Sequence, residues 1–183
     1  MRQYWFPKPY ADCVARWRVP AGFLLAAAFA WFSDPTPQSL LWGAPVAIAG
    51  LGLRAWAAGH LAKNQRLATS GPYAYTRNPL YLGTLLVAAG LALAARNAGL
   101  ALLFAGVFLL VYLPVVELEE QHLRKLFPDY AGYAARVPRL WPRGRRQNFL
   151  HRFRGELYLK NKEYQAAAGL AAGMLFLVWK ALG

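Results

Sequence analysis

The stretch Gly71-Pro72-Tyr73-Ala74-Tyr75-Thr76-Arg77-Asn78-Pro79-Leu80-Tyr81-Leu82-Gly83 is a polar island between two apolar blocks. Asn78 followed by Pro79 predicts a helix start: asparagine caps exposed amides, and proline is tolerated at the first helical position because its missing N–H would have no partner there. The free amides and the positive end of the helix dipole then point back into the loop. Arg77 adds a full charge beside them, so the corner is suited to receive an anion. Beyond it, Leu80 to Ala95 and Gly99 to Val116 are apolar runs joined by Arg96-Asn97-Ala98. At 1.5 Å per residue each approaches the thickness of a bilayer core, the first a little short. A chain that crosses twice returns to the side it left, so Glu117, Glu119 and Glu120 are expected at the face that carries Arg77.

The bulk composition agrees with a membrane setting. Of 183 residues, 57% are hydrophobic, 15% aromatic and only 16% charged, which is too apolar for an ordinary soluble domain. The net charge of +13 comes from Lys and Arg residues concentrated beside apolar blocks, as the positive-inside bias produces, and not from a nucleic-acid surface. Cys13 is the only cysteine, which excludes an internal disulfide and a thiolate cluster. His60, His122 and His151 show neither HxxxH nor HExxH spacing, so no metal site is expected.

Upstream, Tyr4, Trp5, Phe6, Pro7, Pro9 and Tyr10 form an interfacial lead-in with Arg2 and Lys8. Val19 to Phe32 is read as a first membrane helix with Arg16 and Arg18 snorkelling; the alternative is a signal peptide, since Ala28-Phe29-Ala30 imitates a cleavage site. Ser33 to Ser39 is a turn without a basic residue, expected outside. Leu40 to Gly59 makes a second span, rich in small residues that let helices approach closely. Its one charge, Arg54, either snorkels to the interface or faces the site. His60 to Asn78 carries Lys63, Arg66 and Arg77 without an acid, which marks a cytoplasmic loop.

After the hairpin, Leu123, Leu126, Phe127 and Tyr130 follow the i, i+3, i+4, i+7 pattern of a helix lying on the membrane or lidding the site. Arg143, Arg145, Arg146, Arg152 and Arg154 form a cluster suited to anionic head groups or to topology alone. Tyr164 to Leu182 is long enough for a fifth span. The expectation is a single all-α domain over residues 1–183: a polytopic membrane bundle of about five transmembrane helices with a cytoplasmic amphipathic segment. Its N-terminus and active site are expected inside, its C-terminus on the opposite side.

The inner face combines an Arg-plus-helix-start corner, a returning Glu pair and the tyrosines Tyr73, Tyr75, Tyr81, Tyr130 and Tyr133. These groups suit a zwitterionic cofactor with a ribose and a sulfonium, namely S-adenosylmethionine. Its carboxylate would sit at Arg77, its ammonium or ribose at a glutamate, and its sulfur near aromatic faces. For the glutamates the plainer alternative is an exposed helix start with Glu120 and Arg124 as an i, i+4 pair.

Several stretches, in order, resemble one family: Leu53-Arg54-Ala55-Trp56-Ala57, Leu67 to Tyr73, Arg77 to Gly83, Glu119-Glu120-Gln121-His122-Leu123, then Phe127, Tyr130, Tyr133 and Val137-Pro138-Arg139. Together they look like the isoprenylcysteine carboxyl methyltransferase and phospholipid methyltransferase superfamily, over about residues 50–142. The resemblance implies an integral membrane enzyme that binds S-adenosylmethionine through an Arg-His-Pro-x-Tyr-x-Gly motif and a Glu-Glu pair. On this chain those positions are Arg77, Asn78, Pro79, Tyr81, Gly83, Glu119 and Glu120. Asn78 stands where the motif most often has histidine and cannot shuttle a proton. Leu113-Pro114-Val115-Val116 is apolar where the prenylcysteine enzymes of eukaryotes carry a basic residue.

The expected activity is methyl transfer to a lipid or other amphipathic acceptor, an isoprenylcysteine-like carboxylate or a phospholipid amine. Arg77, Glu119 and Glu120 are the candidate catalytic residues. Tyr73, Arg77, Asn78, Pro79, Tyr81, Gly83, Glu119 and Glu120 are the candidate cofactor-binding set, and Arg54, Arg136 and Arg139 the candidates for holding the acceptor. The competing readings are an NADPH-dependent membrane reductase of the sterol reductase kind, which resembles this superfamily distantly, and a non-catalytic membrane scaffold.

Overall fold

A computed structural model describes residues 6–142 and 153–183, apart from the Arg18 side chain. Arg143, Arg145, Arg146 and Arg152 of the basic cluster, and residues 1–5 of the lead-in, lie outside the described residues. The described chain is all-helical, a membrane helix bundle without a strand. Its helices are α1 (Lys8–Phe32), α2 (Pro37–Ala58), α3 (Pro79–Ala95), α4 (Ala98–Val107), α5 (Leu113–Leu126), α6 (Tyr130–Arg136), α7 (Gly155–Lys160) and α8 (Tyr164–Leu182). A 3-10 turn covers Gly71–Ala74, and a π-helical turn, Phe108–Tyr112, joins α4 to α5.

Where about five spans were expected, three helices among the described residues have the length and apolarity to cross a membrane: Pro37–Ala58, Ala98–Leu126 and Tyr164–Leu182. The two halves of α1 make a fourth if taken as one span bent by 57°. Pro20 lies inside that helix, and a proline removes one backbone hydrogen bond and crowds the preceding turn. α3 is apolar but has 17 residues, about 26 Å of helix against a core of about 30 Å.

α3 is pinned to α2 by glycines. A Cβ on Gly43 would lie 2.4 Å from the Gly90 carbonyl oxygen, and one on Gly50 would lie 2.7 Å from that of Gly83. The two backbones therefore touch, the close approach that small residues allow in a bilayer, where little hydrophobic force draws helices together. α2 and α3 make the most extensive helix contact of the described chain.

The hairpin has distinct ends. Away from the polar island, Asn97 caps α4 by accepting from the Leu100 N–H at 3.1 Å and donates to the Phe32 carbonyl at 2.8 Å. There Arg96 pairs with Asp34 at 2.7 Å. Lys180 near the end of α8 donates to the Ala30 carbonyl at 3.1 Å, so α8 also finishes at this end. At the other end the Phe6 N–H donates to Glu117 at 3.2 Å. The Tyr10 hydroxyl donates to the Leu110 carbonyl at 2.6 Å. Pro114 has no N–H to offer that carbonyl four residues back, so the tyrosine occupies a vacancy that the proline creates.

Candidate functional site

The polar island folds as a short 3-10 turn followed by the start of α3. Gly71 adopts φ +59 with the His60 ring packed where a Cβ would be, 2.6 Å from the nearest ring atoms, so only glycine fits. His60 Nδ1 sits 3.0 Å from the Ser70 hydroxyl and braces the turn from below. The Arg77 N–H donates to the Pro138 carbonyl at 2.9 Å, and the Thr76 hydroxyl donates to the Arg139 carbonyl at 3.1 Å. The segment after α6 is thereby laid along the island.

Asn78 precedes α3 as expected, but its side chain makes no cap hydrogen bond. Its amide instead donates to Glu120 Oε1 at 3.0 Å and to the Arg139 carbonyl at 3.1 Å. A buried carboxylate facing two guanidinium groups is a stronger attraction for that amide than the helix amides are. Glu120 Oε2 also accepts from Arg139 Nη2 at 3.0 Å and Nε at 3.3 Å. Arg77 Nε lies 3.4 Å from Glu120 Oε1, an ion pair without hydrogen-bond geometry. The anion that the cationic corner holds is thus the protein's own Glu120, 3% exposed.

Of the adjacent glutamates, only Glu120 turns inward. Glu119 is exposed and Glu117 is buried toward the N-terminal segment. Arg124 does not pair with Glu120 but lies over the Tyr130 ring, 5.7 Å from its centroid. Tyr130 is 1% exposed, and its hydroxyl is buried without a hydrogen-bond partner among the described residues. Burial, reinforced by the Glu120 carboxylate, pushes its phenol up to about 12. Tyr133 packs edge-on against Tyr130, ring centroids 6.0 Å apart, and donates to the Tyr73 carbonyl at 2.8 Å. Burial raises the phenols of Tyr73 and Tyr133 well above the usual tyrosine range, so all three stay neutral hydrogen-bonding groups.

The remaining predicted residues separate from this cluster. Pro79 is fully buried at the first turn of α3. Tyr81 meets Tyr112 edge-on at 6.2 Å. A Cβ on Gly83 would meet the Arg54 side chain at 2.6 Å, which makes this glycine a packing contact with α2. Arg54 neither snorkels nor joins Glu120: its Nε and Nη2 grip Glu163 at 3.0 and 2.8 Å, and its Nη1 donates to the Thr84 hydroxyl. A two-pronged pair with a buried carboxylate satisfies the guanidinium better than a reach to the interface. Arg139 stands on Glu120, while Arg136 in the last turn of α6 is exposed. Reading by motif passes over Glu163 and names Tyr130 among the inner-face tyrosines without assigning it to the cofactor-binding set. An acid immediately before the apolar run of α8 was the available signal for the first, and helical spacing from Phe127 and Leu123 for the second.

Below the polar end, α1, α3, α4, the π turn and α8 line a half-open cavity of about 530 Å3. Phe29, Val87, Leu91, Phe104, Phe108 and Phe176 are among its walls, and Thr84 and Tyr112 supply the few polar atoms.

These features define a class: an integral membrane helix bundle with a carboxylate-centred polar site at one end and an apolar cavity within the span. Residues 41–130 match the phospholipid methyltransferase family, which places this region of the chain in the isoprenylcysteine and phospholipid methyltransferase superfamily. It is 33% identical over 150 residues to the cobalt-zinc-cadmium resistance protein CzcN of Cupriavidus metallidurans, a match covering 76% of this chain and 65% of that one. To the nickel-cobalt-cadmium resistance protein NccN of Alcaligenes xylosoxydans xylosoxydans it is 31% identical over 137 residues, covering 69% and 63%. The chain thus spans just under two thirds of the relatives it matches. No solved structure matches it.

Proposed function

We propose that this protein transfers a methyl group from S-adenosylmethionine to a lipid or other amphipathic acceptor at the cytoplasmic face of the membrane. The observation that carries the reading is the incomplete hydrogen bonding beside Glu120. The Tyr130 hydroxyl and Arg77 Nε are buried without hydrogen-bond partners among the described residues, and such atoms are costly to leave unfilled. A carboxylate fits both donors, and an ammonium or ribose hydroxyl fits the Glu120 oxygens beside them, so this donor set suits the amino-acid end of the cofactor. The family match supports the same chemistry.

When bound, the cofactor supplies an electrophilic methyl on a sulfonium. The protein's part is positioning and exclusion of water. Arg77 and Tyr130 hold the carboxylate, Asn78 and Arg139 keep Glu120 oriented, and Tyr81 and Tyr112 line the approach from the apolar cavity. An amine acceptor must lose a proton, and the exposed carboxylate of Glu119 is open to take it; an acceptor that is already a carboxylate needs no base. The relatives' names speak of metal resistance, which is a property of those proteins and identifies no acceptor here.

The test is binding of labelled S-adenosylmethionine to the purified protein, with NADPH as competitor. Each lost hydrogen bond to a charged group contributes about 1.5–3 kcal/mol, so Arg77→Ala and Tyr130→Phe should each weaken binding by about tenfold or more. Undiminished affinity in both, or displacement by NADPH, would remove the proposed site.

A further inference from the structure

The bundle is short along its helices, and exposed aromatic rings mark where its apolar surface stops. On α2 the exposed Trp42 and Trp56 stand fourteen positions apart, with no tyrosine or tryptophan between them. That is about 21 Å of helix. On α8 the exposed Tyr164 and Trp179 stand fifteen positions apart, again with neither ring type between, or about 22 Å. Such side chains, apolar in the body and polar at one edge, settle at the level of lipid head groups.

Contacts between helices bring these rings to common levels. At the end that carries the Arg96 and Asp34 pair, Lys180 donates to the Ala30 and Trp31 carbonyls at 3.1 and 3.4 Å, which sets Trp179 beside Trp31. The Ser39 hydroxyl donates to the Ala94 carbonyl at 2.8 Å and holds the first turns of α2, with Trp42, at the same end. Trp31, Trp42 and Trp179 are 81, 70 and 70% exposed. Toward the polar island, the Arg54 pair with Glu163 at 2.8 Å sets Trp56 beside Tyr164. The Asn161 amide fixes that level by donating to the Ala58 and Leu61 carbonyls at 3.1 and 2.9 Å. The hairpin has the same measure: fifteen positions separate its Asn97 cap from Tyr112, whose ring meets Tyr81 in the first turn of α3.

Two levels of rings about 22 Å apart fall about 8 Å short of an ordinary hydrocarbon core. Tilting the helices would only bring the levels closer. Flanking cations often relieve such a mismatch by snorkelling, but here they are engaged: Arg54 with Glu163, Arg96 with Asp34 and Lys180 with two carbonyls. The bilayer must then thin around the protein, at a cost that grows with each ångström.

We propose that the lipid-facing surface between these two levels of rings selects phospholipids with short acyl chains and sits in a locally thinned bilayer. The partner is the lipid shell, distinguished from other bilayer lipid by chain length, and the proposal stands independently of the methyl transfer.

The experiment reconstitutes the full chain in phosphatidylcholine bilayers with monounsaturated chains of fourteen, eighteen or twenty-two carbons. Brominated eighteen-carbon phosphatidylcholine, competing as a quencher of tryptophan fluorescence, reports the relative affinity of each lipid for the protein surface. The fourteen-carbon lipid should be favoured over the eighteen-carbon one by about twofold and over the twenty-two-carbon one by about fourfold. Replacing Trp42→Leu and Trp179→Leu together removes two exposed anchors of one level, leaves Trp31 and Trp56 as reporters, and should at least halve that selectivity. Circular dichroism and size exclusion verify that the double variant is folded; Trp42→Phe with Trp179→Phe, which keeps a ring but no N–H, is the milder form. Equal affinities in the wild type, or a maximum at eighteen carbons or more, would overturn the proposal whatever the variants do. Undiminished selectivity in the folded double variant would overturn the role given to the rings.

Discussion

Glu119 and Glu120 are neighbours of identical chemistry, and replacing each in turn by glutamine separates their roles. Successive residues on a helix point about 100° apart, so only one of the two can face Asn78. Glu120 does, taking donors at 3.0 Å from Asn78, 3.0 and 3.3 Å from Arg139, with Arg77 at 3.4 Å. Glutamine keeps the shape but removes the charge and turns an NH2 toward at least one donor. Two guanidinium groups, with side-chain exposures of 12% for Arg77 and 24% for Arg139, then lose their counter-charge. Breaking a buried pair costs about 3–5 kcal/mol, and water at Arg139 lowers this to about 2–4 kcal/mol. Glu119 is exposed, and Glu119→Gln should stay within about 0.5 kcal/mol of the wild type. Unfolding by SDS in mixed micelles, followed by circular dichroism, compares the two. Equal costs, or a Glu120→Gln change as small as that of Glu119→Gln, would refute the assignment of Glu120 as the tie between α3, α5 and the segment after α6.

Three further outcomes follow from the geometry. Arg54→Gln or Glu163→Gln alone should destabilise by about 2–4 kcal/mol, because each strands a largely buried partner, whereas Arg54→Met with Glu163→Leu should recover most of the loss in the same assay. Gly43→Leu and Gly90→Leu should prevent α2 and α3 from meeting and abolish recovery of folded protein, while Gly22→Ala should leave it unchanged, as size-exclusion profiles would report. The Tyr130 phenol is raised from 10.0 to about 12, so the folded state keeps a proton that the unfolded state loses. Its contribution is intact below pH 10 and is lost between pH 10 and about 12, and Tyr130→Phe should flatten the fall of stability across that window.

Much of the architecture was legible because it depends on local chemistry. Pro79 begins α3 where its missing N–H predicts, and the return of the hairpin brings Glu120 to the polar island because two crossings leave no other choice. What could not be read were choices among distant partners. Whether Asn78 caps its own helix or turns to a carboxylate 42 residues away depends on a competition that no local window contains. Arg54 has the same history, with its partner 109 residues on. Hydropathy also does not register the bend in α1, where Pro20 lies within the helix. The placement of Glu120 over Glu119 follows from helical phase, which adjacent identical residues conceal.

The backbone contact between α2 and α3 divides the molecule into parts with different freedom to vary. Along that seam almost any added atom is forbidden, so the pair acts as a fixed plate that presents the polar island in one orientation. α8 packs against the plate, α1 packs chiefly against α4, the π turn and α5, and a gap is left beside the plate. Changes on α1 and α8 can therefore reshape the space beside the plate while the end of the molecule that holds the corner and its carboxylate stays as it is.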